Sequence, residues 1–277
     1  MTRGVYQMPM QKYLDAPGIS QSRLKAMARS PAHFRAALTA EEESSRALTI
    51  GTILHLAVFE PHLLESSYYL RPETYENKKG VVKKWNANAT ECKDWAAAHD
   101  DREVLVVKEH ESIIGMRKSV MEHAAALAAL ADGIPEQCLF APDPTTGIGL
   151  KCRADWLSGN TIVDLKSTVD ASPEGFASSV DKFGYDVQAA YNLDIANWLS
   201  LGREFFLFIA VEKEPPYAVA VYELDAESIG IGRSKYRRYL DLADHCFKTD
   251  EWPAYDPAIQ RLSLPQWSIR REAARHG

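Results

Sequence analysis

The most constraining stretch of this chain runs from residue 136 to residue 167, where three short segments alternate apolar and polar side chains. Glu136 to Ala141, Ile148 to Leu157 and Thr161 to Ser167 are rich in residues that suit half-buried strands. Asp143-Pro144-Thr145-Thr146-Gly147 is turn chemistry between the first two, and Gly159-Asn160 is a two-residue hairpin signal between the second and third. Such a turn pairs Ser158 with Thr161 and Leu157 with Ile162. Continued, the register sets Asp155 opposite Asp164 and Arg153 opposite Lys166, with opposed Cβ atoms about 4.5–5.5 Å apart. Lys151, Arg153 and Asp155 then share a face with Asp164 and Lys166, and Cys152, Ala154, Trp156, Val163 and Leu165 form a core face. A three-residue turn including Ser158 would instead slip the pairing by one and part the two aspartates.

Two carboxylates directly opposed in a sheet repel, unless a cation or a shared proton lies between them. A divalent metal is one resolution, and Mg²⁺ takes one or two carboxylates together with waters and substrate phosphate. Lys166, two residues past Asp164, then faces the same point and can stabilise developing negative charge or help deprotonate a water. The other resolution is a solvent-facing strand pair with an Arg153–Asp164 or Asp155–Lys166 salt bridge. Spacing alone leaves both open.

Around this meander the chain reads as mixed α/β. Ser20 to Leu38 is two short helices broken by Pro31, and Ala47 to Glu60 is a helix stopped by Pro61. Tyr69 to Asn88, with Lys78, Lys79, Lys83 and Lys84, reads as a mobile surface loop. Ala89 to His99 and Lys108 to Ala131 follow as helices, the second ended by Gly133-Ile134-Pro135. Beyond the meander come a helix from Asp186 to Leu201, strands from Phe205 to Val211 and Tyr217 to Leu224, and a helix from Asp225 to about Phe247. The expectation is one domain over 1–277, with a helical part at 19–131, a core at 134–247 and a tail at 248–277.

Composition narrows the function. The chain has 277 residues, 46% hydrophobic and 25% charged, as globular proteins do. Its longest apolar runs, Ala124 to Ala131 and Phe205 to Val211, are too short to span a bilayer. Four scattered cysteines without a C-x-x-C pair argue against zinc or iron–sulfur sites and fit a reducing cytoplasm. The N-terminus has no apolar signal segment, so a cytoplasmic location is expected. A net charge of −6 provides no global field for nucleic acid, so any DNA contact needs local basic patches or bound cations.

Several motifs in order then carry a resemblance. The helical run from Gly51 to His55, Glu136, Arg153-Ala154-Asp155, the run from Asp164 to Thr168, and the run from Gln188 to Tyr191 resemble the RecB-like branch of the PD-(D/E)xK nuclease superfamily. Ile19-Ser20, Ser30 to Phe34 and Leu264-Pro265-Gln266-Trp267 are similar to its RecE (exonuclease VIII) nuclease domain, so the likeness extends from Ile19 to Trp267. It implies a restriction-endonuclease-like core, a central mixed sheet with an antiparallel meander flanked by helices. It implies that His55, Asp155, Asp164 and the Leu165 carbonyl ligate a catalytic Mg²⁺, for which Mn²⁺ substitutes and which Ca²⁺ inhibits. Glu136 would hold a second metal or its water, Lys166 would be the catalytic lysine, and Gln188 would orient Lys166 or a phosphate. Arg153, Thr168, Tyr191, Lys83 and Lys84 are the candidate DNA contacts. The implied activity is 5′-to-3′ degradation of linear double-stranded DNA from its ends, by a ring-shaped homotetramer of phage or prophage type. The 3′ tails left behind would go to a RecT-like annealing protein. The family's tyrosine stands four residues after the glutamine, whereas here Tyr191 stands three after Gln188 and Asn192 takes the fourth place.

Plainer readings stand beside these. His55 lies among Leu54, Leu56, Ala57 and Val58, as a buried core histidine would, and Gly51 could serve close helix packing. Glu136 could be a solvated strand start, Tyr191 an ordinary core residue, and the four lysines a solvated face. The rival functions are another RecB-like nuclease, acting on single strands or on particular structures, and a non-catalytic DNA-end-binding module.

Overall fold

The computed structural model describes residues 2–40 and 45–276; positions 1 and 277, the outer bounds of the expected domain, lie outside the described residues. Six strands form its main sheet: β1 (Gly4–Gln7), β2 (Gly133–Pro142), β3 (Gly149–Ser158), β4 (Thr161–Thr168), β5 (Phe205–Glu212) and β6 (Val219–Glu223), lying side by side in that order. Gly159, at φ +49°, and Asn160 close the two-residue turn, and Ser158–Thr161, Leu157–Ile162 and Trp156–Val163 pair as the turn requires. The slipped register is thereby excluded. Neighbours are antiparallel except β4 and β5, which run parallel. A parallel pair needs a crossover, and two helices supply it.

The larger helices are α1 (Pro31–Thr39), α2 (Arg46–Phe59), α3 (Val107–Glu122), α4 (Pro173–Phe183), α5 (Tyr185–Trp198), α6 (Ala226–Thr249) and α7 (Gln266–His276). Side-chain oxygens cap several of them. Ser30, Ser45, Ser172 and Asp225 accept backbone N–H groups at the starts of α1, α2, α4 and α6. Helices cover both faces of the sheet. On one, Leu24, Phe34 and residues of α5 and α6 pack on Ile162, Phe206 and Phe208. On the other, Ile53, Leu54 and Ala57 of α2 and Ile113, Met116 and Val120 of α3 pack on Val163, Leu165 and Ile209. Each such buried aliphatic side chain contributes about 1.5–3 kcal/mol. No single helix among the described residues is long and apolar enough to cross a membrane.

Four expectations need correction. Gly133-Ile134-Pro135 does not end a helix but begins β2, because the Trp156 indole lies across Gly133 where any Cβ would collide. The helix expected from Lys108 to Ala131 breaks at His123, which caps a separate short helix, Ala124–Ala129, by accepting the Ala126 N–H. The stretch 69–88 is not a plain loop: Tyr68–Leu70 pairs with Glu103–Leu105, and Thr74–Glu76 with Val82–Lys84. Finally, β1 and α4 go beyond the elements expected, so the sheet draws on residues well before 134.

Candidate active site

The β3–β4 ladder stops at Trp156–Val163. Where the next rung would form, Asp155 turns its carboxylate to accept the Leu165 N–H at 2.9 Å. On the other side of β3, Glu136 stands at φ +53° between the paired residues Pro135 and Gln137. A non-glycine residue in the left-handed region costs roughly 1–3 kcal/mol, and such positions cluster at functional sites. The strand reverses its faces here. Cys152 and Ala154 pack on the α5–α6 side, whereas Trp156 packs with Val163 and Leu165 on the α2–α3 side. The single core face expected of these five residues is therefore two faces. Arg153 does not face Lys166 either. It pairs with Cys138 across β2, and its Nε lies 2.6 Å from Glu136.

The split brings three donors together. One ligand atom each from His55, Glu136 and Asp155 lies within 4.8 Å of the others. The His55 Nε2–H donates to the Leu165 carbonyl at 3.0 Å, and Nδ1 then points its lone pair toward Asp155 at 3.5 Å and Glu136 at 3.9 Å. Converging lone pairs repel unless a proton or cation joins them. Burial, and after it the Asp155 charge, push the Glu136 carboxyl up to about 7. One imidazole and two carboxylates are a donor set that suits a divalent cation such as Mg²⁺ or Mn²⁺. Of the wider set implied by resemblance, the Leu165 carbonyl accepts from His55, and Asp164 stands outside this trio.

Asp164 is held by two other residues. Lys166 Nζ lies 2.6 Å from Oδ2, and the Gln188 amide donates to Oδ1 at 2.5 Å. Burial foremost, opposed by Lys166 and reinforced by Asp155, moves the Asp164 carboxyl up to about 6. Burial alone would lower Lys166, yet the Asp164 and Asp155 charges hold it above the ordinary lysine range. Lys166 is therefore an ammonium at neutral pH, suited to meeting phosphoryl charge rather than to abstracting a proton. The Tyr185 ring lies 4.8 Å below its Nζ. Tyr185 escaped sequence reasoning, although it stands three residues before Gln188 and so on the same helical face.

These groups border one cavity of about 760 Å³, lined by His55, Glu136, Arg153, Asp155, Lys166 and Tyr185 and on another side by Met8, Met10, Leu48 and Leu63. Gly51 lines it too, and a Cβ there would meet nothing within 4 Å, so its role is not helix packing. Other candidates fall away. Tyr191 is fully buried and donates to the Ile19 carbonyl at 2.6 Å, which makes it a core tyrosine and not a DNA contact. Thr168 is buried and gives its hydroxyl to the Asp170 carbonyl. Arg153 braces Glu136 at a side-chain exposure of 12%. Lys151 is buried too, its ammonium donating to the carbonyls of Tyr13, Leu14 and Ala16. Lys83 and Lys84 are exposed on the short hairpin at 74–84.

Comparison with known proteins agrees with this fold. Residues 20–262 match the profile of a PDDEXK-like domain of unknown function (DUF3799). The crystal structure of a candidate exonuclease from Eubacterium rectale superposes with a TM-score of 0.61, covering 95% of this chain and 98% of that one at 13% identity. At that identity the likeness is one of fold. A second structure, SSO0001, is 15% identical over 75% of this chain and 88% of its own, with a TM-score of 0.30 that carries no argument. No curated protein matches the chain.

Proposed function

The chain belongs to the PDDEXK-like family, and from that premise we propose that it is a Mg²⁺-dependent exodeoxyribonuclease acting on the ends of linear double-stranded DNA. The observation that carries this reading is the convergence, in one cavity, of the His55–Glu136–Asp155 donors with the Lys166 ammonium. A binding module has no need of two buried carboxylates and an imidazole lone pair aimed at one point. His55, Glu136 and Asp155 would hold the cation, which when bound supplies Lewis acidity toward phosphate and water. Arg153 holds Glu136 in place and partly offsets the burial that raises its carboxyl. Lys166 presents a fixed positive charge to the phosphoryl oxygens, steered by Asp164, while Gln188 holds Asp164.

Polarity and assembly rest on the resemblance to RecE-type nucleases. The proposal is 5′-to-3′ digestion by a ring-shaped homotetramer, with the 3′ tails passed to a RecT-like annealing protein. Tyr255, Ile259, Leu262, Leu264 and Trp267, all exposed along the C-terminal stretch, offer apolar surface for a second copy. The test is digestion of one plasmid, closed and then linearised, alongside a single strand, in Mg²⁺ and in chelator, with sedimentation to count subunits. Rapid loss of the linear duplex alone, leaving 3′ tails, is expected. Digestion of the closed circle would point to an endonuclease, and preference for the single strand to another RecB-like activity.

A further inference from the structure

A dense run of lysines in this acidic chain lies outside the cavity lining. Residues 74–84 form an antiparallel hairpin whose turn is made by Asn77 to Gly80, with Gly80 at φ +76° and the Asn77 side chain accepting from the Lys79 and Val81 N–H groups. Four lysines, Lys78, Lys79, Lys83 and Lys84, fall within seven residues, and all four are exposed. Among the described residues none of their ammonium groups lies within 4.0 Å of a carboxylate, whereas Lys166, Lys235 and Lys248 are all ion-paired. Glu76 on the first strand and Glu73 just before it leave residues 73–84 with two net positive charges.

The hairpin is also braced. Trp85, the residue after its second strand, meets Trp95 edge to face at 5.3 Å; Trp95 stacks on His99 at 4.1 Å, and His99 meets Tyr69 at 4.5 Å. Arg71 and Arg102 lie over the outer rings, Trp85 and Tyr69. A purely solvated lysine run needs no such ladder beneath it. The chain enters this substructure from Leu63, which lines the cavity, and reaches strand Tyr68–Leu70 five residues later. The hairpin's first strand thus begins eleven residues after the cavity-lining Leu63.

We propose that the hairpin at 74–84 is a phosphate-gripping arm, whose unpaired lysines hold the DNA backbone beside the segment being cut. The proposal rests on the nuclease reading and deepens it by giving a protein of charge −6 a specific contact with the polyanion. The arm contributes to binding and not to chemistry.

The test compares the wild type with a variant carrying Lys78→Ser, Lys79→Ser, Lys83→Ser and Lys84→Ser, and with a second carrying arginine at all four positions. All substituted side chains are exposed, so thermal midpoints within a degree or two of the wild type are expected. Binding of a fluorescent 30-base-pair duplex in Ca²⁺ is followed by anisotropy from low to moderate salt. Each phosphate contact contributes about 0.9 to the slope of log K against log salt. The serine variant should bind at least tenfold more weakly at low salt, with a slope shallower by about 2–4, and the arginine variant should bind as the wild type does. At saturating DNA the serine variant should keep its kcat while its KM rises. Equal affinity and slope in wild type and serine variant would overturn the arm while leaving the nuclease standing. DNA binding by none of the three proteins would overturn both. Displacement of DNA by polyglutamate at the concentration at which unlabelled DNA displaces it would also overturn the arm, by making the lysines a receptor for acidic protein.

Discussion

The two ends of the β3–β4 hairpin are built on opposite principles. At the turn, Gly159-Asn160 sets a regular ladder, Leu157 and Ile162 bury apolar side chains, and no charge is enclosed. About three rungs further on, the ladder opens, Glu136 takes a left-handed backbone, and Glu136, Asp155 and Asp164 are all buried. The turn end contributes stability through burial and pairing. The open end spends it, since each buried carboxylate must be compensated by a neighbour such as Arg153, His55 or Lys166. One hairpin thus anchors a site that it could not hold if it were regular throughout.

The sharpest way to break this contrast is at Asp155. Asp155→Asn keeps an acceptor for the Leu165 N–H but removes a charge from the donor trio. Nuclease activity should fall on the order of 10³-fold or more, with no loss of thermal stability in chelator. A variant with wild-type turnover would remove the metal assignment. Lys166→Ala should retain Mn²⁺ binding by calorimetry but lose on the order of 3 kcal/mol of transition-state stabilisation, roughly 10²-fold in kcat. Parallel loss of Mn²⁺ affinity would make Lys166 a structural partner of Asp164 only.

A third prediction concerns pH. Burial foremost pushes the Glu136 carboxyl up to about 7 and the Asp164 carboxyl up to about 6, both above the ordinary carboxylate range. The folded, metal-free protein therefore binds these protons more tightly than the unfolded chain does. Its stability should fall as pH rises from about 4 to 7, and the penalty is absent below that window because both states are protonated. Thermal midpoints in chelator, taken for wild type and Glu136→Gln, measure this. The variant should show the shallower decline, and identical slopes would deny Glu136 its raised affinity for the proton. The mildest change belongs at the turn end. Ile162→Val, in the fully buried core, should cost about 1 kcal/mol in urea unfolding and leave kcat unchanged. A large drop in kcat there would mean that the two ends are coupled.

Much of this was legible in residue order. The hairpin register followed from Gly159-Asn160, because a two-residue turn leaves one pairing. His55, Glu136, Asp155 and Lys166 could be singled out by type and motif, and the structure brings them to one cavity. The reversal of faces at Asp155 could not be read, because alternation assumes a continuous pleat and the strand interrupts it. Nor could the fate of Tyr191, whose helical position suited either core or site until α6 and Ile19 closed over it. The lysine-rich stretch looked like a loop because three-residue strands are too short to show a period.

By itself, then, the sequence determined the local pieces: the turn, the apolar alternation of β2 to β5, and the residue types able to meet a cation and a phosphate. Those depend on neighbours within a few positions along the chain. Tertiary structure decided which carboxylate faces which partner. Glu136 joins His55 and Asp155, whereas Asp164 turns to Lys166 and Gln188. That division rests on where α2 and α5 pack on opposite faces of an opened sheet, and on a buried charge being stable only beside the groups that packing brings to it.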